Sequence, residues 1–122
     1  MDIIDLEMVR GDDEEFVFEV FELIKHKNGT TDELPLDYTN HRLDMHIKAS
    51  KSETVKLSST TGDIVANGNV ITVKLHHDKT RTAMWRTAEY DLQVIDQYGK
   101  VSTPFGGVFE LQHDITDITE VA

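Results

Sequence analysis

The chain has 122 residues, 39% of them hydrophobic, and a formal net charge of −11 at pH 7. This length suits one domain with a single core, and the lack of cysteine excludes disulfides, thiolate metal sites and cysteine nucleophiles. No apolar run is long enough to span a bilayer, and the first residues lack the basic and apolar segments of a secretory signal, so we expect a soluble, unprocessed protein.

The negative charge is concentrated at the two ends of the sequence. Residues 1–24 hold nine acidic side chains and one basic, and residues 113–122 hold three acidic and no basic, whereas the middle is balanced with eleven of each. Because phosphate backbones and anionic membranes attract basic surfaces, we expect neither nucleic acid nor membrane as a partner. Two interpretations of the acidic ends stay open, namely solubility and a docking surface.

The first half of the chain predicts strands separated by a turn and a loop. Loose alternation over 3–9 predicts a first strand, and the aromatic and β-branched run over 16–24 predicts a central strand covered on both faces. Residues 25–31, which include Asn-Gly, predict a turn, and residues 32–40, with Leu-Pro-Leu, predict a loop. The regular alternation over 42–49 indicates a half-buried antiparallel strand.

The next part of the chain predicts shorter strands and one crossover. Strands are expected over 55–59, 64–66 and 70–75, with an Asn-Gly hairpin turn between the last two. Residues 76–85 begin with polar side chains and end with apolar ones. This pattern predicts one or two helical turns that connect strands of different sheets.

A final hairpin follows and is the most informative part of the sequence. Alternation over 88–95 predicts its first strand, and Gly99 supplies the residue that a chain reversal often needs. Pro104, Gly106 and Gly107 interrupt the second arm. We therefore expect that arm to lie at a sheet edge or to carry a bulge.

These elements predict an all-β fold, an antiparallel immunoglobulin-like β-sandwich of about seven strands with one short helical crossover. We assign residues 1–112 to the sandwich domain and residues 113–122 to an acidic and apolar tail. The core is expected to form around four apolar residues, Phe16, Ile47, Ile71 and Leu92.

The sequence contains no specific motif for catalysis or for metal binding. The acidic run at 12–15 lacks the alternating spacing of an EF-hand loop, and the adjacent His76 and His77 lack the four-residue spacing of helical zinc ligands. We therefore predict no catalytic, cofactor-binding or metal-binding residue and no cofactor. A pair of acidic side chains that meet in space, as in a glycoside hydrolase, remains an open hypothesis.

Five apolar residues are candidates for contact with a partner. Trp85, together with Met84, either anchors a sugar or protein partner or, as is more usual for a lone tryptophan in a sandwich, belongs to the core. In the tail, Ile115, Ile118 and Val121 recur at every third position. A tail this short either frays or lies against its own domain or a neighbouring one.

Several short motifs carry a resemblance to a known family. They are Val-Arg-Gly-Asp at 9–12, the strand at 69–75, Tyr-Asp-Leu at 90–92 followed by Asp96, Gly-Lys-Val at 99–101 and Gly-Val-Phe at 107–109. With these motifs, the chain from Asp5 to about Thr116 resembles the immunoglobulin-like β-sandwich domain of bacteriophage tail and baseplate proteins.

The resemblance implies a non-enzymatic structural component of a virion, an adaptor in tail or tail-fibre and spike assembly. It further implies that the partners are other tail, baseplate or fibre proteins, that the chain forms a homo-oligomer, and that it resides in the virion and, during assembly, in the host cytoplasm. The alternative function is a carbohydrate-binding module that uses Trp85 and neighbouring loops.

Overall fold

The fold consists almost entirely of β-strands. The computed structural model describes residues 1–116, which form eleven strands and two short 3₁₀ turns, Ser59–Thr61 and His77–Lys79. The strands are β1 (Asp2–Ile3), β2 (Leu6–Val9), β3 (Glu14–Glu19), β4 (Phe21–Lys25), β5 (Thr31–Pro35), β6 (Arg42–Lys48), β7 (Thr54–Ser58), β8 (Ile64–Asn67), β9 (Val70–Leu75), β10 (Thr87–Ile95) and β11 (Val101–Gln112). The predicted all-β class is confirmed.

The strands form two larger sheets and one separate ribbon. In the six-stranded sheet, β1, β11, β10, β6 and β7 lie side by side in that order, and β2 also pairs with β11. The three-stranded sheet has the order β3, β9, β8, and β4 pairs with β5. The pairs of β11 with β1 and with β2 are parallel, and the other pairs are antiparallel.

The core lies between the two larger sheets. Ile47 of β6, Ile71 of β9 and Leu92 of β10 are each 0% exposed, as their positions on alternating strands predict. Phe16 is only half-buried, and its ring meets that of Phe109 edge to face with 5.9 Å between the centroids. Three of the four predicted core residues are therefore confirmed, and Phe16 lies at the margin of the core.

Most strands predicted after residue 40 are confirmed, with ends that differ by one or two residues. The Asn67-Gly68 turn joins β8 to β9, and Gly68 has a φ of 62°. The connection from β9 to β10 passes from the smaller to the larger sheet, as expected. Its predicted one or two helical turns reduce to the single 3₁₀ turn at His77–Lys79.

In the first forty residues the predicted turn at 25–31 is confirmed, whereas the predicted strands and loop need correction. The run at 16–24 is not one covered central strand, because it divides at Val20 into β3, at the edge of the smaller sheet, and β4, which is exposed throughout. Hydrogen bonding changes partner at this residue: its N–H donates to the Asn69 carbonyl at 3.0 Å, and its own carbonyl accepts from Leu36 N at 3.2 Å. The predicted loop at 32–40 begins with β5.

The strand count of eleven exceeds the predicted seven or so for the same reason. The first 35 residues form five short strands, where the sequence predicts two long ones. The first of these, expected over 3–9, is interrupted after β1, where Ile4 N donates to the Gly106 carbonyl at 2.8 Å before β2 begins.

The second arm of the final hairpin does not lie at a sheet edge. β11 pairs with β10 on one side and with β1 and β2 on the other. The predicted bulge is confirmed, because Leu92 pairs with Phe105 whereas Val94 pairs with Ser102. Pro104 lies in this irregular stretch, where a missing N–H interrupts no regular ladder.

The two central glycines of β11 allow close approach of neighbouring backbone. A Cβ on Gly106 would lie 2.6 Å from the Tyr90 carbonyl oxygen, and a Cβ on Gly107 would lie 2.6 Å from that of Ile4. Both distances are shorter than any ordinary contact of a side chain. The pair is therefore explained by packing between strands rather than by an edge position.

Candidate protein-contact surface

The β4–β5 ribbon, residues 21–35, is exposed along both of its strands, and we call it the arm. All ten residues of its two strands are exposed. Four are large and apolar, namely Phe21, Leu23, Ile24 and Leu34, with exposed fractions of 38%, 63%, 39% and 47%. An isolated two-stranded hairpin is marginal in water, and exposed apolar patches mark interaction sites. The arm is therefore the candidate contact surface.

Local sequence explains how the arm forms without a core. The side-chain oxygen Oδ1 of Asn28 accepts hydrogen bonds from the backbone N of Thr30 at 3.1 Å and from its hydroxyl at 2.6 Å. Gly29 has a φ of 87°, a conformation that glycine adopts without strain, and His26 N donates to the Thr30 carbonyl at 2.9 Å. These contacts close the turn and set the pairing of the two strands.

Apolar side chains occupy both faces of the arm. The cross-strand register places Phe21, Leu23 and Pro35 on one face and Ile24 and Leu34 on the other. If the arm packed one face against the rest of its own domain, the apolar side chains on the other face would still be exposed to water. Contact with another molecule on either face removes apolar surface from water.

The tip of the arm is basic, whereas the start of the chain is acidic. Lys25, His26 and Lys27 are consecutive, and the His26 ring nitrogen Nε2 lies 2.7 Å from Asp32 Oδ2. Residues 1–19, by contrast, contain eight acidic side chains and one basic. The two lysines at the tip thus contrast in charge with the start of the chain, although the strands of the arm also carry Glu22, Asp32 and Glu33.

Of the predicted contact residues, Trp85 lies at the core. Its side chain is half-buried, and its ring meets that of Phe109 edge to face at 6.0 Å between centroids. This packing supports the core interpretation rather than an exposed platform for stacking a sugar. The neighbouring Met84 is 76% exposed.

The start of the predicted tail contacts the body of the domain. Arg10 Nε donates to Asp114 Oδ1 at 2.7 Å, and Arg10 Nη1 donates to the Ala83 carbonyl at 3.2 Å. His113 Nε2 lies 2.9 Å from the Trp85 carbonyl. Asp114, an acidic residue near the end of the sequence, is thus paired with the one basic residue near its start.

Ile115 extends from this contact into solvent and is fully exposed. Because Arg10 and His113 join residues 83–85 to residues 113–114, Met84 and Ile115 lie on neighbouring segments. The other two predicted tail residues, Ile118 and Val121, lie outside the described residues.

A groove of about 610 Å³ crosses the outer face of the six-stranded sheet. It is lined by polar residues of β6 and β10, including Asp44, His46, Lys48, Glu89 and Asp91. Trp85 does not line this groove. The one tryptophan is therefore separate from this groove.

Asp44, Asp37 and Asp96 have carboxyl pKa values below the ordinary value for aspartate. Burial raises the pKa of the Asp44 carboxyl, but hydrogen bonds from Ser58 and Arg42 outweigh this effect and lower it. The pKa values of Asp37 and Asp96 are also lowered, by hydrogen bonds from Thr39 and from the Lys100 backbone respectively. A glycoside hydrolase needs a carboxyl group with a raised pKa, the opposite direction.

Comparison with known proteins adds no assignment: no protein-family model matches the chain, and no curated protein matches it. Over the described part of the chain, helices of the length and hydrophobicity needed to cross a bilayer do not occur.

The arm is the feature that the sequence prediction missed. The Asn28-Gly29 pair is typical of a hairpin turn. It separates residues 21–25 from residues 31–35, and both of these runs contain apolar side chains. The aromatic content of the segment before it favoured a buried central strand instead.

Proposed function

We propose that the protein is a structural, non-enzymatic component of a bacteriophage virion, a tail- or baseplate-associated adaptor with an immunoglobulin-like sandwich. The virion assignment rests on the resemblance of the motifs between Asp5 and Thr116. The adaptor role rests on one observation, the arm, which exposes apolar side chains on both faces beyond the packed sheets. The two facing sheets and their aromatic contacts support the sandwich.

The partner that best fits the arm is a second copy of the same chain. Its basic tip, around Lys25 and Lys27, complements the acidic surface of residues 12–15. Because the tip and the acidic run are different surfaces, each copy offers one to each of two neighbours. Head-to-tail contact of this kind forms a ring if the rotation between copies closes and an open filament if it does not.

Light scattering coupled to size-exclusion chromatography tests this contact. The wild-type chain should form an oligomer whose mass falls with dilution and with added salt, because the tip contact is electrostatic. Lys25→Glu combined with Lys27→Glu should shift the mass to that of the monomer. The matched control, Lys51→Glu with Lys56→Glu, makes the same charge change at exposed positions outside the arm and should keep the oligomer.

A wild-type chain that remains monomeric at millimolar concentration would contradict self-assembly, as would equal losses in the arm variant and its control. The virion assignment has its own test, electron microscopy of intact phage particles with an antibody against this chain. Label at the tail or baseplate is expected, and unlabelled particles would overturn the assignment.

A further inference from the structure

Two distant segments bring three metal-ligating side chains together at one end of the three-stranded sheet. Glu14 of β3 and Leu75 of β9 form the last pair of an antiparallel ladder. Asp13 and His76 come directly beyond that pair and lie opposite each other, and His77 follows. The ligand atoms of Asp13, His76 and His77 all lie within 4.8 Å of one another.

Direct contacts fix this arrangement. The backbone N–H of His77 donates to Asp13 Oδ1 at 2.7 Å, and the ring nitrogen Nδ1 of His77 lies 3.0 Å from the same oxygen. The rings of His76 and His77 lie against each other with 3.9 Å between their centroids.

A second carboxylate lies beside both rings. Asp78 Oδ2 is 3.3 Å from Nδ1 of His76, and Asp78 Oδ1 is 3.6 Å from Nε2 of His77. Arg81 Nη1 lies 3.1 Å from Asp78 Oδ1 and holds that carboxylate in place. Carboxylates next to metal-binding imidazoles set the ring orientation and raise the basicity of the ligand.

The cluster is open to solvent. Asp13 and His76 line a shallow depression of about 550 Å³ with Glu14, Asp63 and Lys74. The side chains of Asp13 and His76 are 70% and 58% exposed, so an ion bound there keeps water in its remaining positions.

We propose that Asp13, His76 and His77 form a site for a divalent late transition-metal ion, with Zn²⁺ as the ion that fits best. Two imidazoles and one carboxylate form a donor set that suits Zn²⁺ better than Mg²⁺ or Ca²⁺, which prefer oxygen ligands. Ligand atoms around a tetrahedral Zn²⁺ lie about 3.4 Å apart, which is close to the 3.0 Å between His77 Nδ1 and Asp13 Oδ1. Asp13 also belongs to the acidic run of residues 12–15 that the proposed arm contact uses, so the site is tested by metal binding rather than by assembly.

Isothermal titration with ZnCl₂ on the untagged full chain tests the site. One ion per chain is expected, with binding that weakens from pH 7.5 to pH 5.5, because imidazoles bind metal only in their neutral form. His76→Gln and Asp13→Asn should each weaken binding by about tenfold or more, since even loss of an outer-shell partner costs about 10- to 100-fold.

The arm supplies a matched control. His26 lies 2.7 Å from Asp32, a closer His–Asp contact than that of His77 with Asp13, but the described residues place no third donor beside it. His26→Gln should leave Zn²⁺ binding unchanged. His76→Gln leaves the His77–Asp13 contact intact, so this variant separates loss of metal binding from loss of local structure.

Proton NMR of the histidine rings gives a readout that does not depend on variants. The ring signals of His76 and His77 should shift with one equivalent of Zn²⁺, while those of His26 and His46 stay in place. Equal shifts of all these rings, or a His26→Gln variant that loses as much affinity as His76→Gln, would overturn the proposal.

Discussion

The core between the two larger sheets and the arm are built from similar side chains, but the core buries them and the arm exposes them. In the core, Ile47, Leu92 and Phe109 are each 0% exposed and lie between two sheets. In the arm, Leu23 and Leu34 belong to regular β-strands and still face solvent, with exposed fractions of 63% and 47%. Strand formation is therefore common to both regions, and only the core removes its apolar surface from water.

Because the core is buried and the arm is exposed, substitutions in the core should affect the stability of the fold, and substitutions in the arm should affect association between chains. The free energy of unfolding should depend on buried contacts, because burial of apolar area is the main favourable contribution to folding. Apolar residues of the arm add nothing to that quantity until a partner covers them. Substitutions that pair a buried position with an exposed one of the same type test this separation.

The largest effect is expected from truncating the central aromatic residue. Phe109→Ala should lower the free energy of unfolding by about 3–5 kcal/mol, because Phe109 is fully buried and contacts the rings of Phe16, Trp85 and Tyr90. Leu23→Ala in the arm should change it by less than about 0.5 kcal/mol. Urea denaturation of both variants measures the difference, and a comparable loss in each would show that the arm belongs to the folded core.

A smaller effect is expected from adding one methyl group at a glycine. Gly106→Ala should cost about 1–3 kcal/mol, because its Cβ would meet the Tyr90 carbonyl oxygen at 2.6 Å in the middle of a sheet. Gly29→Ala has open space but a φ of 87°. It should reduce hydrogen-exchange protection in the arm and leave the urea midpoint unchanged, since the arm opens locally. An unaltered midpoint for Gly106→Ala would contradict the close packing.

The smallest effect concerns one buried hydroxyl group. Tyr90 is 4% exposed and donates to the Ile4 carbonyl, whereas Tyr98, in the hairpin turn, is 86% exposed. Tyr90→Phe should cost about 1 kcal/mol at neutral pH. Tyr98→Phe should cost less than about 0.5 kcal/mol.

The same hydroxyl predicts a pH dependence at alkaline pH. Burial, together with the charge of Asp5, raises the pKa of Tyr90 from 10.0 to about 12. The folded state therefore favours the neutral phenol, and this stabilisation is complete below pH 10 and is lost as the pH rises towards 12. Denaturation between pH 9 and pH 12 should show a smaller alkaline loss for Tyr90→Phe than for the wild type, and an identical loss would contradict the assignment.

How far the sequence predicted the structure depends on whether side-chain alternation coincided with burial. Alternation and burial coincided in β6 and β10, where Ile47 and Leu92 lie in the core. The hydrophobic pattern was therefore sufficient to locate both strands. Alternation and burial did not coincide in the arm, because composition cannot distinguish an apolar strand that its own domain covers from one that stays exposed. The change of hydrogen-bonding partner at Val20 is a tertiary event without a local signal.

The candidate sites were harder to predict for a related reason. The sequence singled out Trp85, yet the fold packs its ring against Phe109. Asp13 and His77 were considered separately, because they are 64 positions apart and only the register of β3 with β9 places them in contact. The spacing of residues along the chain therefore could not predict the contact between Asp13 and His77.

The central claim is that the tip of the arm contacts the acidic start of another copy, and disulfide cross-linking tests it most directly because the chain has no cysteine of its own. One preparation carries Thr31→Cys, next to the tip, and the other carries Asp12→Cys. Under mild oxidation these two preparations should form a disulfide-linked heterodimer. A mixture of the Thr31→Cys and Lys51→Cys preparations, which serves as the control, should form its heterodimer much more slowly. Equal rates for the two mixtures would contradict the claim.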